Sequence, residues 1–252
     1  MDPVLSLRGV SLSFPRGPRH IVRVLADVSL DLHEGESVTV LARRSQGKTS
    51  LLRVAAGMER PDRGSVMFAG EDVWRLSDRR RSRLLSSEIG LVERAAPHLD
   101  VPVLTGMALP LLNRHGQRGA YARAKSALAH VGASECARQR WGELADSERA
   151  LVALAHGIAR EPKLLLVDDL AATLGIEEHA DIAELLGALA AERGIAVLLC
   201  AGDSGPTSTY DRVASLAGGE LLLAPATPAD GTNVLDFPGQ QQQQQRRRRA
   251  SS

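Results

Sequence analysis

Residues 36–56, ESVTVLARRSQGKTSLLRVAA, run from an apolar stretch through a turn into a second apolar stretch without a break. SVTVLA is short, continuous and rich in β-branched residues, as in a strand buried on both faces. After Lys48, LLRVAA spaces its apolar residues as a helix does, up to Gly57. A turn between strand and helix that ends in Gly47-Lys48-Thr49 is built for phosphate: inward backbone N–H groups, a helix N-terminus behind them, a lysine and a hydroxyl. Ala42, Arg43, Arg44, Ser45, Gln46, Gly47, Lys48, Thr49 and Ser50 are therefore candidate nucleotide-binding residues. Lys48 would take the β and γ phosphates, Thr49 a Mg²⁺ ion, and Ser50 the α phosphate. The opening position is alanine, which fits where the backbone needs no positive φ. Arg43 and Arg44 add attraction for phosphate, or fill the cradle with their bulk. A chance tripeptide in a turn is the competing reading, and lysine usage weighs against it: the chain has three lysines among 31 basic residues.

Such a loop needs an acid at the end of a neighbouring buried strand to hold the metal. KLLLVDDL, residues 163–170, supplies Asp168 with Asp169 next to it; a helix N-cap aspartate is the plainer alternative. This run and IAVLLCAG (195–202) are continuous and apolar, as in a parallel sheet covered on both faces. The segment between them has the length of a crossover helix, which makes a βαβ unit. Upstream, VLSLRGVSLSF and VRVLADVSLDL read as strands, and GSVMFAGEDV reads as a strand pair around a glycine turn. From residue 76 the texture turns helical and charged, and 92–160 reads as a mostly helical insert. DRVASLAGGELLLA reads as a closing hairpin. The fold class expected is α/β: a P-loop NTPase core with a mixed or parallel sheet, an N-terminal antiparallel β-subdomain and a helical insert.

Composition narrows the classes. Net charge is +1 and Arg246 to Arg249 contribute four positive charges, so the rest stands at −3 (+1 less 4), which is not a nucleic-acid-binding balance. Residues 226–252 end in GQQQQQQRRRRASS and read as a disordered tail, either a solvated appendage or a weak contact for anionic lipid. The two cysteines, Cys136 and Cys200, lack metal-ligand spacing and read as apolar fillers in a reduced compartment. Neither a leader nor a membrane span is expected.

With the loop and its acid in place, residues 4–222 resemble the nucleotide-binding domain of ABC transporters. LADVSLDLHEGE, LLRVAAGMERPDRGSVMFAGEDVWRLSD and LVALAHGIAREPKLLLVDD look most like the lipoprotein-release and macrolide-exporter branch. The resemblance implies one domain over residues 1–225, ATP and Mg²⁺ as ligands, and Phe14 stacking on adenine. It implies an ABC permease as membrane partner and a head-to-tail homodimer or heterodimer. It also implies a peripheral place on the cytoplasmic face of the cell membrane.

The departures from the family pattern are as informative. Where the family signature reads LSGGQ, this chain has Leu144, Ala145, Asp146, Ser147 and Glu148. Asp146 would face an opposing γ-phosphate, and like charges there repel; alternatively Asp146 or Ser147 caps the next helix. The general-base position holds Asp169, one methylene short of glutamate. The switch-histidine position holds Gly202, and the metal-sensing glutamine position matches Arg94. The run after the acid, Leu170 to Gly175, lacks the aspartate used between sites. Both composite sites of a dimer would be incomplete. The expectation is an ATP-binding subunit that couples to or regulates a permease with little or no hydrolysis, a pseudo-ATPase. An active ATPase powering export or lipoprotein extraction is the alternative.

Overall fold

The computed structural model describes residues 2–17, 20–93, 100–170, 173–202 and 209–224. The strands in chain order are β1 (Leu5–Pro15), β2 (Ile21–Leu32), β3 (Ser37–Leu41), β4 (Arg63–Phe68), β5 (Glu71–Asp72), β6 (Ile89–Glu93), β7 (Leu164–Asp168), β8 (Ala196–Ala201), β9 (Arg212–Ala217) and β10 (Glu220–Leu223). The helices are α1 (Lys48–Ala55), α2 (Asp78–Ser87), α3 (Val103–Ala108), α4 (Leu112–His130), α5 (Asp146–Ile158) and α6 (Ile176–Arg193), with short 3₁₀ turns among them. β2-β1-β4-β5 form an antiparallel sheet. β10-β9-β3-β8-β7-β6 form a second, parallel except for the β9–β10 hairpin. The expected α/β class, with its antiparallel N-terminal part, is what the chain adopts.

The period of two along the buried strands explains why the second sheet has two cores. Leu165, Val167, Val197 and Leu199 pack with α5 and α6 residues such as Leu154 and Leu186. Leu164, Leu166, Leu198 and Cys200 pack on the other face with Leu51 and Leu52 of α1 and with the antiparallel sheet. No face is left for water, so the runs carry no polar alternation. Both Cys136 and Cys200 are buried free thiols, as fillers should be.

β6 is the strand that the sequence reading passes over. Its place at the sheet edge depends on a close approach to α5. A Cβ on Gly90 would lie 2.5 Å from the Gly157 carbonyl oxygen, and one on Gly157 would lie 2.5 Å from Val92 Cγ2. Among the described residues, the first helix between β6 and β7 is α3, which starts at Val103. The ends of the crossover helix behave as its sequence suggests. Glu178 accepts a 3.0 Å hydrogen bond from the Gly175 N–H at the start of α6, and Gly194 closes it at φ 66°.

β3 lies inside the sheet, with β8 on one side and β9 on the other, and β7 lies beyond β8. Its base is pinned by Asp211, whose Oδ2 accepts hydrogen bonds of 2.7 Å from both the N–H and the hydroxyl of Ser37. The carboxyl ends of β3, β8 and β7 therefore emerge side by side, which is where open α/β sheets bind ligands.

Candidate functional site

Two carbonyls at the end of β8 set the spacing of the site. Ala201 O accepts from the Ala42 N–H at 3.0 Å, fixing the start of the loop, and Cys200 O accepts from the Asp169 N–H at 2.8 Å. The loop and the acid strand are thus fastened to the same strand end. Across it, the Thr49 hydroxyl donates to Asp168 Oδ2 at 2.6 Å. Lys48 Nζ lies 2.9 Å from the Ala42 carbonyl oxygen and 3.2 Å from Asp169 Oδ2. Residues 119 apart in sequence meet here.

The cleft above them has a volume of about 500 Å³ and is lined by Arg44, Ser45, Gly47, Lys48, Thr49, Ser50, Asp168 and Asp169. Arg43 and Arg44 are exposed, and of the two only Arg44 is among the residues lining the cleft. Ala42 is absent from the positive-φ residues of the chain, as an alanine at that position requires. Positive φ falls instead on Ser45, at 64°, and Gly47, at 97°. Gln46 Oε1 accepts from the Arg43 N–H at 3.1 Å and braces the loop from inside.

Phe14 is 38% exposed and pairs with Val22 across the β1–β2 hairpin. Two residues further along β2, Val24 packs on Gly47. The hairpin thus brings Phe14 to within a few residues' rise of the loop without making it part of the cleft wall. Gly202 follows β8, and among the described residues a Cβ built there would meet nothing within 4 Å. Arg94 lies outside the described residues, as do Ala171, Ala172 and the tail.

The loop ending in Gly47-Lys48-Thr49, its paired carboxylates and the strand order now stand together. The ABC transporter family matches residues 25–172. The chain belongs to that family. The lipoprotein-releasing system ATP-binding protein LolD of Pseudomonas syringae pv. tomato is 31% identical over 223 residues, covering 88% of this chain and 98% of that protein. LolD 2 of Caulobacter vibrioides is 32% identical over 224 residues, with the same two shares. Among solved structures, the dimeric structure of MJ0796, a bacterial ABC transporter cassette, superimposes with a TM-score of 0.78 at 22% identity. It covers 90% of this chain and all of that one. A post-hydrolysis state of the same cassette bound to ADP and Pi gives a TM-score of 0.78 at 23% identity.

In this ABC transporter ATP-binding subunit the segment Leu144 to Glu148 does not line the cleft of its own chain. Leu144 is buried, and Ala145 is the N-cap of α5 with no side-chain acceptor to offer. The cap expected at Asp146 or Ser147 therefore lies one or two positions earlier, at Ala145. The reciprocal group is Glu148, whose Oε2 accepts from the Ala145 N–H at 2.8 Å. Asp146 is the first residue of the helix proper and pairs with Arg149 at 3.0 Å.

A second concavity, about 430 Å³, opens beside the sheet between α2 and α5. Met58, Leu85 and Leu91 line it together with Glu93, His156 and Arg160. Burial, and secondarily the Arg160 charge, holds the His156 imidazole below its ordinary range. Glu93 Oε1 lies 3.7 Å from Arg53 and its residue sits opposite Asp168 in the sheet, so the groove and the cleft lie at the ends of neighbouring strands. Nothing in the apolar periodicity marks the groove or the Val24 contact. Both arise from residues far apart in sequence.

Proposed function

We propose that the chain is the ATP-binding subunit of a membrane export or lipoprotein-extraction complex, one that holds nucleotide with little or no hydrolysis. The observation that carries this is the cleft, which assembles groups for phosphate and metal. Beside it stands the sequence, which departs from the family pattern at the positions that close the site and activate water. Gly47, Lys48, Ser50 and Arg44 offer backbone N–H, hydroxyl and cationic contacts to phosphates. The Thr49 hydroxyl and Asp168 carboxylate, 2.6 Å apart, are hard oxygen donors suited to Mg²⁺. No cluster of three His, Cys, Asp or Glu residues exists among the described residues, so the metal's other ligands would be phosphate and water. When bound, Mg²⁺ would neutralise phosphate charge. Asp169 is engaged with Lys48, and Gly202 has no side chain to reach a γ-phosphate.

The subunit would work as a homodimer or heterodimer, with Ala145 to Glu148 presented to the partner's nucleotide. Support comes from that segment's absence from the lining of its own cleft and from the dimeric cassette of the same fold. The permease would dock in the groove of Met58, Leu85 and Leu91. Met58 is apolar and 59% exposed, and Glu93 in the groove wall is the strand partner of Asp168. No helix among the described residues is long and apolar enough to cross a membrane, so the attachment to the inner face would be peripheral. The alternative, an active ATPase powering export, draws on Asp169 itself, which remains a carboxylate on the cleft wall.

Equilibrium binding of Mg-ATP to the full chain tests the reading. Lys48→Ala and Asp168→Ala should each weaken binding by tenfold or more, roughly the worth of one charge-assisted contact. Absence of binding to the unaltered chain would leave a docking subunit with an empty cradle.

A further inference from the structure

Lys48 is not waiting for a ligand. Its ammonium already has the Ala42 carbonyl and the Asp169 carboxylate, and its side chain is only 12% exposed. The Asp169 backbone is fixed beside this contact. Its N–H is bound to Cys200 O, and its φ of 45° is one that L residues seldom adopt. With its backbone set in this way, the carboxylate leaves Lys48 by side-chain rotation alone, and the strand-end hydrogen bond stays in place. The cleft's charges are Arg44 and Lys48 against Asp168 and Asp169, which cancel formally. Among the described residues Arg44 has no carboxylate partner, so it is the cation at which the cancellation is incomplete.

We propose that Asp169 is a tethered anion competing with nucleotide phosphate for Lys48, and that Arg44 receives the incoming phosphate before the exchange. This rests on the cleft being a nucleotide site. The physical reason is simple. Two anions at contact distance from one partly buried ammonium repel each other, so a phosphate gains Lys48 only as Asp169 lets go. In place of a base, the shortened acid serves as a counter-ion that keeps the empty cleft neutral. It also sets a threshold for nucleotide entry. Arg44 lowers that threshold because its planar donor array contacts phosphate without first giving up a carboxylate.

The test is equilibrium binding of the β,γ-imido analogue of ATP with Mg²⁺, so that hydrolysis plays no part. Full-length Asp169→Asn should bind about tenfold tighter than the unaltered chain, and Arg44→Ala about tenfold weaker. In a Lys48→Met background the gain from Asp169→Asn should shrink below about threefold, because the competed cation is gone. Equal or weaker binding by Asp169→Asn overturns the proposal. So does a full gain in the Lys48→Met background, which would reduce the effect to net charge. Binding by Asp169→Asn where the unaltered chain binds nothing supports it. If no variant binds while thermal unfolding shows each one folded, the nucleotide reading itself is wrong and the exchange falls with it.

Discussion

Gly47 is seated against Val24 of β2: a Cβ built on it would lie 2.8 Å from Val24 Cγ1 and 2.9 Å from the Val24 carbonyl oxygen. The β1–β2 hairpin is thereby the floor of the loop as well as part of another sheet. Gly47→Ala should cost about 2–4 kcal/mol, from the positive φ and the contact together. Urea unfolding of the single variant and of Gly47→Ala with Val24→Ala checks this. The second change should recover only a part, because the carbonyl stays in place. Full recovery would mean that the side chain alone forbids the methyl group.

The start of α5 separates two roles that the sequence left open. Glu148→Ala removes the acceptor for the Ala145 N–H and should cost about 1 kcal/mol. Asp146→Ala removes a half-exposed ion pair and a favourable charge at the helix start, and should cost about 0.5 kcal/mol or less. Denaturant midpoints of the two variants decide. A larger loss for Asp146 would restore it as the cap.

His156 predicts an acid sensitivity. Its folded pKa is lowered, so below the ordinary value of about 6.5 the unfolded chain binds the extra proton first. Stability from this group is complete above that pH and is lost as pH falls toward the folded value. Unfolding free energy should therefore decline more steeply as pH falls below about 6.5 in the unaltered chain than in His156→Gln. Parallel slopes would show that His156 titrates normally.

Met58→Glu places a charge in the apolar groove, far from the phosphate loop in function. Co-purification with the membrane permease should fall by tenfold or more, while affinity for Mg-ATP stays within about twofold. Retained association would move the permease contact elsewhere.

Much of this architecture is legible in the sequence because buried parallel strands carry no polar alternation. SVTVL, LLLVD and AVLLCA stand out as unbroken runs, and the Gly-Lys-Thr turn tells which end of the first matters. β6 does not stand out. Its five residues include Gly90, which looks like a break until Gly157, 67 positions later, is seen to need the space. The N-cap of α5 was misplaced because Asp146 has the right chemistry one residue too late, and an alanine cap leaves no mark. Asp168 and Asp169 were readable as site acids from their place at a strand end. That one donates nothing but accepts from Thr49, while the other neutralises Lys48, follows only from the two carbonyls of β8.

Under the proposed function the cleft holds nucleotide without turning it over. The check is phosphate release from Mg-ATP, by the full chain alone and with a permease, with Lys48→Ala run beside it. The two rates should be indistinguishable. Turnover at about 1 s⁻¹ or faster, abolished by Lys48→Ala, would contradict it.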